Sequence, residues 1–195
     1  MNINYLKSNQ DSAVENMMIT AVMNKLIVYL NEQITLVEQS IKQLIFANQK
    51  LKKQYQLLAS IPGIGPVIAQ HFLMVTYGFT RFDNWRKFSS FIGCAPFPYR
   101  SGTSVRRRTR TSSQGYRSFK ADLHQGAMSM IRPGQFFHLY YQTLIAQNVH
   151  HLKVINNIMN MLIKIAFQII RSESEFNPQI FLQNKKSWTQ NLVTS

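Results

Sequence analysis

Acidic residues are scarce in this 195-residue sequence, which has eight Asp and Glu against 22 Lys and Arg, for a formal net charge of +14. The eight are Asp11, Glu15, Glu32, Glu38, Asp83, Asp122, Glu173 and Glu175. No strand-like run carries a pair of them, so a two-metal carboxylate site of the nuclease kind is hard to assemble from this sequence. Cysteine occurs once, as Cys94, which excludes an internal disulfide framework and fits a reducing, cytoplasmic setting. The first ten residues contain no apolar core segment and no cleavage-like pattern, so no secretory leader is expected. The longest apolar run, Val154 to Ile170, is broken by Asn156, Asn157, Asn160, Lys164 and Gln168. It predicts a buried helix and not a membrane span. There is no internal repeat, and no run alternates as a half-buried strand does.

What is present is a globular composition, 45% hydrophobic and 12% aromatic, in a chain long enough for one domain with an extension. The positive excess points to nucleic acid rather than to a small acidic substrate. It is concentrated between Pro98 and Gly115, P-Y-R-S-G-T-S-V-R-R-R-T-R-T-S-S-Q-G. Six of the ten arginines fall between Arg100 and Arg117, and no acid lies between Asp83 and Asp122. Rich in Ser, Thr and Gly and without an apolar period, residues 97–115 read as a loop. Such a loop holds its guanidiniums apart unless an anion lies among them. Ser101 is set inside the arginines, and Gly102 after it lets a backbone approach closely. By composition alone the loop is a phosphate-contacting surface; Ser101, Ser104, Ser112 and Ser113 are equal candidates for a nucleophile.

Ahead of that loop, apolar residues from Met23 to Leu58 recur at alternating steps of four and three. One seam position holds Ile27, Ile34, Ile41, Asn48 and Tyr55; the other holds Met23, Leu30, Val37, Leu44, Leu51 and Leu58. β-Branched residues on the first and mostly leucine on the second predict a parallel two-stranded coiled coil over residues 21–58. Its dimer contacts would be Ile27, Leu30, Ile34, Val37, Ile41, Leu44, Asn48 and Leu51, with Asn48 fixing the register. The alternative is an amphipathic helix packed on its own domain.

Residues 57–76 begin L-L-A-S-I-P-G-I-G-P. Pro62 ends one helix, Gly63 and Gly65 permit a tight turn, and Pro66 suits the first turn of the next helix. The pattern resembles a helix-hairpin-helix motif, in which Gly63, Ile64 and Gly65 would offer backbone amides to a DNA phosphate. Binding of that kind carries little sequence preference. Downstream, a short helix is expected between a cap at Asp83 or Asn84 and Gly93, with Phe82, Trp85, Phe88 and Phe91 packing inward. Further helices are expected from Ser112 or Ser113 to about Met130, from Gln135 to Gln147, and from His150 to about Arg171. The five histidines show no metal-ligand spacing. Residues 172–195 read as a polar tail or docking segment. The fold class predicted is all-α: residues 1–20 as a leading segment, a coiled-coil helix, and a helical domain over residues 57–171.

The ordered series I-P-G-I-G-P, F-D-N-W-R-K-F-S-S-F-I-G-C-A-P and R-S-G-T-S-V-R-R-R-T-R-T-S-S-Q-G-Y-R resembles the C-terminal half of one family. This is the one-ten insertion-sequence transposases, which include the Piv-type pilin-gene invertases. The resemblance spans about Leu57 to Arg171. It singles out Ser101, which follows the segment Gly93-Cys94-Ala95-Pro96 and precedes Gly102, as a nucleophile that attacks a DNA phosphodiester and forms a phosphoserine link. Arg100, Arg106, Arg107, Arg108 and Arg110, with Arg117 and Lys120, would then contact DNA; clustered guanidiniums suit the charge developing on a phosphoryl group. The resemblance also implies a guide (bridge) RNA and a dimer or tetramer built through the coiled coil.

Members of that family carry an N-terminal RNase H-like domain whose four acids hold Mg²⁺. No such acids precede the coiled coil here, so no cofactor is expected within this chain. Cys94 stands where leucine is usual, and Ser113-Gln114 and Phe119-Lys120 where Lys-Arg and Leu-Arg are commoner. The expectation is a split or truncated transposase that needs a separately encoded acidic domain. The competing expectations are a non-catalytic dimeric helix-hairpin-helix DNA binder and a binder of structured RNA.

Overall fold

The computed structural model describes residues 3–97, 100–101, 105–106, 110–111 and 116–179, with side chains described over 16–95 and 116–179. The chain is predominantly α-helical, as expected, and divides into two compact units, residues 1–47 and 48–195.

The first unit is one helix, α1 (Ile3–Ala47). Over residues 16–44 every side chain is exposed, the apolar seam included: Leu30, Ile34, Val37 and Leu44 all face solvent. Thr20, Thr35 and Ser40 turn their hydroxyls onto the carbonyls of Asn16, Asn31 and Leu36 one turn back, so they add no polar reach.

The heptad pattern continues through Asn48, but the helix does not. Asn48 is in extended conformation (φ −105°, ψ 115°), and its Oδ1 accepts the Leu51 amide at 3.1 Å. It caps α2 (Gln49–Ala59). The expectation of one helix over residues 21–58 with Asn48 and Leu51 in its dimer seam is therefore corrected. An Asn side chain bonds its own backbone three residues on more readily than it stays in a helix interior. Beyond it, Tyr55 and Leu58 are buried in the second unit, and the Leu51 side chain comes within 3.1 Å of where a Gly78 Cβ would stand.

The second unit is built on a hairpin of α2 and α3 (Pro66–Thr76). At the far end of α3, Tyr77 and Gly78 turn left-handed, and buried Gln54 of α2 donates to the Gly78 carbonyl at 3.1 Å. α4 (Trp85–Phe91) begins at Asn84, whose side chain accepts the Lys87 amide, and ends before Gly93 at φ 73°. α5 (Arg117–Ser129), α6 (His138–Ala146) and α7 (His151–Ser172) complete the domain. α7 is long and apolar enough to cross a membrane by length and composition, but 56% of that window is buried. It packs against α2, α4, α5 and α6 as the core helix.

Phe72, Phe88 and Phe119 form the centre of the core, with ring centroids 4.7–5.7 Å apart, and all three are fully buried. Of the four aromatics spaced by three, only Phe88 is fully inside; Phe82, Trp85 and Phe91 lie half-buried at the domain edge. The segment from Ser172 onward was expected to be a polar tail or a docking segment, and its first residues dock on the domain: the Phe176 amide donates to Ser60 Oγ at 3.0 Å, and the Phe176 ring meets Phe136 edge-on. Glu173 pairs with Lys53.

Four two-residue strands interrupt what was expected to be strandless loop: β1 (Pro96–Phe97), β2 (Arg100–Ser101), β3 (Val105–Arg106) and β4 (Arg110–Thr111). Pairs this short have no alternation to read, and their stabilisation comes from the antiparallel partner.

Candidate nucleic-acid interface and serine segment

Two surfaces converge on the expected chemistry. The first is the α2–α3 turn. Gly63 adopts φ 86°, and a Cβ built there would stand 2.7 Å from Met130 Cγ and 3.0 Å from the Gly126 carbonyl oxygen. The back of the turn is thus pressed on α5 at a second glycine, which is why neither position accepts a side chain. Ile64 departs from the expectation: its side chain is buried, and its amide donates to the Ile61 carbonyl at 3.0 Å inside the turn. Gly65 is exposed, with nothing within 4 Å of a built Cβ, and α3 starts at Pro66 without a side-chain cap. The solvent-facing donor end of this motif is therefore Gly65 and the first turn of α3, where the helix dipole favours an anion.

The second surface is the basic segment. β1 pairs antiparallel with β4, placing Pro96 opposite Thr111 and Phe97 opposite Arg110. β2 pairs antiparallel with β3, placing Arg100 opposite Arg106 and Ser101 opposite Val105. The segment is thus a folded-back ribbon. Cα atoms at directly opposed positions lie about 4.5–5.5 Å apart. The register thus brings the backbone of Arg100 against that of Arg106. Ser101 is next in sequence to one of the pair. Gly102, Arg107 and Arg108, along with the rival serines Ser104, Ser112 and Ser113, lie outside the described residues.

Of the two basic residues beyond the ribbon, Arg117 is exposed on the first turn of α5. Lys120 is placed differently from its expected contact with DNA. It is half-buried, and its ammonium donates to the Gly93 carbonyl at 2.7 Å. Cys94 beside it is fully buried. Desolvation pushes its thiol up to about 11, against a smaller opposing pull from Lys120, so it is an inert packing residue at neutral pH.

One polar cluster escaped the sequence reading. His71 Nδ1 of α3 meets Asp122 Oδ2 of α5 at 2.6 Å, and its Nε2 faces the Tyr116 hydroxyl at 3.4 Å. The rings of Tyr116 and Phe119 stand edge-on to the imidazole. The available signal was Asp122 itself, the one acid between Asp83 and Glu173. Two donors do not make a metal centre, and the described residues contain no group of three or more His, Cys, Asp or Glu able to hold an ion. A Mg²⁺ site does not fit the described residues.

The glycine turn between α2 and α3 and the paired basic segment belong to the same compact unit. Residues 55–142 match the family model described as "Transposase IS116/IS110/IS902 family". Over those residues the chain is similar to that family. It is also similar to the pilin gene-inverting proteins of Moraxella lacunata and Moraxella bovis, each 26% identical over 152 residues. Each match covers 77% of this chain and 47% of the relative, so the chain spans about half the length of the curated relatives it matches.

Proposed function

We propose that this chain acts in DNA transposition or site-specific recombination, and that Ser101 is its nucleophile. The observation that supports the reading is the coincidence of the transposase-model match, residues 55–142, with a backbone pairing in which Ser101 follows Arg100, the register partner of Arg106. In the step proposed, Ser101 Oγ forms a bond to phosphorus. The bond from phosphorus to the leaving strand's oxygen breaks, and the hydroxyl proton passes to solvent or to a base while the leaving oxygen is protonated. The product is a phosphoserine-linked strand, which a second DNA hydroxyl can resolve. A serine hydroxyl needs strong stabilisation of the transition state, and the guanidiniums of Arg100, Arg106, Arg107, Arg108 and Arg110 supply fixed positive charge for it.

Gly65 and the first turn of α3, with Arg117, hold flanking phosphates without reading bases. The exposed seam of α1 from Ile27 to Leu44 joins two copies, and a tetramer would pair two such dimers. Carboxylates outside those described here, of the RNase H-like kind, hold the divalent ion of the reaction. A guide RNA selecting donor and target belongs to the same proposal, as does action in the cytoplasm on nucleoid DNA.

The second reading is a dimeric DNA-binding protein with an unreactive serine. It rests on the exposed seam of α1 and the solvent-facing Gly65 turn, neither of which needs a reacting group. Covalent trapping decides between the two. The chain is incubated with labelled, nicked element-junction duplex, the cognate RNA and an RNase H-like domain, and resolved on a denaturing gel. A protein–DNA adduct that disappears in Ser101→Ala establishes the nucleophile. DNA binding that persists with no adduct in the wild type establishes the binding protein.

A further inference from the structure

The basic ribbon is rooted in the core by side chains that no phosphate contact requires. Three consecutive residues just before β1 are involved. Lys120 Nζ of α5 donates to the Gly93 carbonyl at 2.7 Å. From α7, Asn156 Nδ2 and Asn160 Nδ2 both donate to the Cys94 carbonyl, at 2.9 and 3.1 Å. The Cys94 and Ala95 amides both donate to the Ser89 carbonyl of α4, at 2.9 and 3.1 Å, while the Ser89 hydroxyl donates to Asn160 Oδ1. The ribbon's other end is tied to the same place. The Tyr116 amide donates to the Phe91 carbonyl at 3.3 Å, and the two rings are stacked.

Asn156 and Asn160 are one turn apart on a helix whose neighbouring positions Ile155, Ile158, Met159, Met161 and Leu162 are buried and apolar. An amide in that setting is unfavourable unless it is fully bonded, and an apolar residue would suit α7 better for stability alone. One donor would satisfy the Cys94 carbonyl. Two from α7, a lysine on the preceding carbonyl and a serine bridging both amides hold two successive peptide planes in one orientation. Such fixing matters where a reacting group must be placed to within a fraction of an ångström.

We propose that Asn160, assisted by Asn156 and Lys120, is a positioning residue of the serine ribbon: it acts through the Cys94 carbonyl to fix the direction in which Ser101 is presented. Both asparagines lie beyond the residues 55–142 that match the family model. The inference rests on Ser101 being the nucleophile, and the test separates the two.

Asn160→Leu, Asn160→Asp, Lys120→Met and Lys120→Arg are compared with the wild-type chain. Asn160→Asp keeps an acceptor for Ser89 but loses the donor to Cys94. Amide hydrogen exchange on the chain alone reads the anchor. In both Asn160 variants the Cys94 and Ala95 amides are expected to exchange at least tenfold faster while central α7 amides keep their protection. Adduct formation on nicked element-junction duplex, with an RNase H-like domain supplied, reads the consequence. The single-turnover rate is expected to fall at least tenfold with Kd for the same duplex within twofold. Lys120→Met shows the same split more weakly, and Lys120→Arg restores the rate. Should Asn160→Leu fail to fold, the Lys120 pair carries the comparison. A wild-type adduct rate in a variant whose Cys94 and Ala95 amides exchange fast overturns the proposal, as does unchanged exchange in both Asn160 variants. An adduct that survives Ser101→Ala instead refutes the serine reading and leaves the anchor to be judged on exchange alone.

Discussion

Replacing Gly126 with alanine tests how the hairpin turn is held. Gly126 lies in the middle of α5, where a Gly→Ala change ordinarily stabilises a helix by about 1 kcal/mol. Here the added Cβ would stand 2.3 Å from the Gly63 carbonyl oxygen and 2.9 Å from Ile68 Cδ1. Ile68 can shift its terminal methyl, but the Gly63 oxygen is backbone in a turn already held at φ 86°. Relief requires α5 and the α2–α3 turn to separate by most of an ångström. Overpacking of well-filled interiors costs about 1–3 kcal/mol, and a backbone obstacle belongs at the top of that range. Subtracting the helix gain leaves a net loss of about 2 kcal/mol. At about 3–5 °C per kcal/mol for a domain of this size, Tm should fall about 6–10 °C. Because the turn also carries Gly65 to the surface, duplex affinity at fixed salt should weaken as well. The assay is a thermal melt by circular dichroism, followed by anisotropy with a labelled duplex. An unchanged or raised Tm would refute the close packing of these two glycines.

Three further outcomes follow from other parts of the chain. Asn48→Ala removes the bond to the Leu51 amide and should cost about 1 kcal/mol of second-unit stability, read by urea titration; no loss would show that the cap is dispensable. Ile27→Lys with Ile34→Lys, on the exposed seam of α1, should abolish self-association in sedimentation velocity while leaving the Tm of residues 48–179 unchanged; persistent dimers would rule the seam out. The Cys94 thiol is raised by burial from 9.0 to about 11. Its contribution to stability is therefore complete below pH 9 and lost as pH rises through 11. Urea midpoints of the wild type should drop between those limits more than those of Cys94→Ala; parallel curves would contradict the burial.

The all-α class, the turn between two helices at Pro62 to Pro66 and the boundaries of α4 at Asn84 and Gly93 were legible in the sequence. Each is set by local chemistry: an apolar period, a missing amide hydrogen, a glycine able to take positive φ, or an asparagine capping its own helix. The same local chemistry was misjudged at Asn48. There a heptad count and an N-cap compete for one side chain, and the count cannot register a bond that Asn makes to its own backbone. The strands of the basic segment were not legible because two-residue pairs carry no period.

What tertiary structure alone decided are the pairings of residues far apart in the chain. His71 meets Asp122 across 51 positions and Asn160 meets the Cys94 carbonyl across 66, and Gly63 is pressed on Gly126. In the sequence Asn156 and Asn160 register only as interruptions of an apolar run, and Lys120 as one more positive charge. Packing α4, α5 and α7 around one core brings those side chains to the root of the ribbon. A part-buried amide or ammonium finds its partner there, because little water reaches that root to replace it.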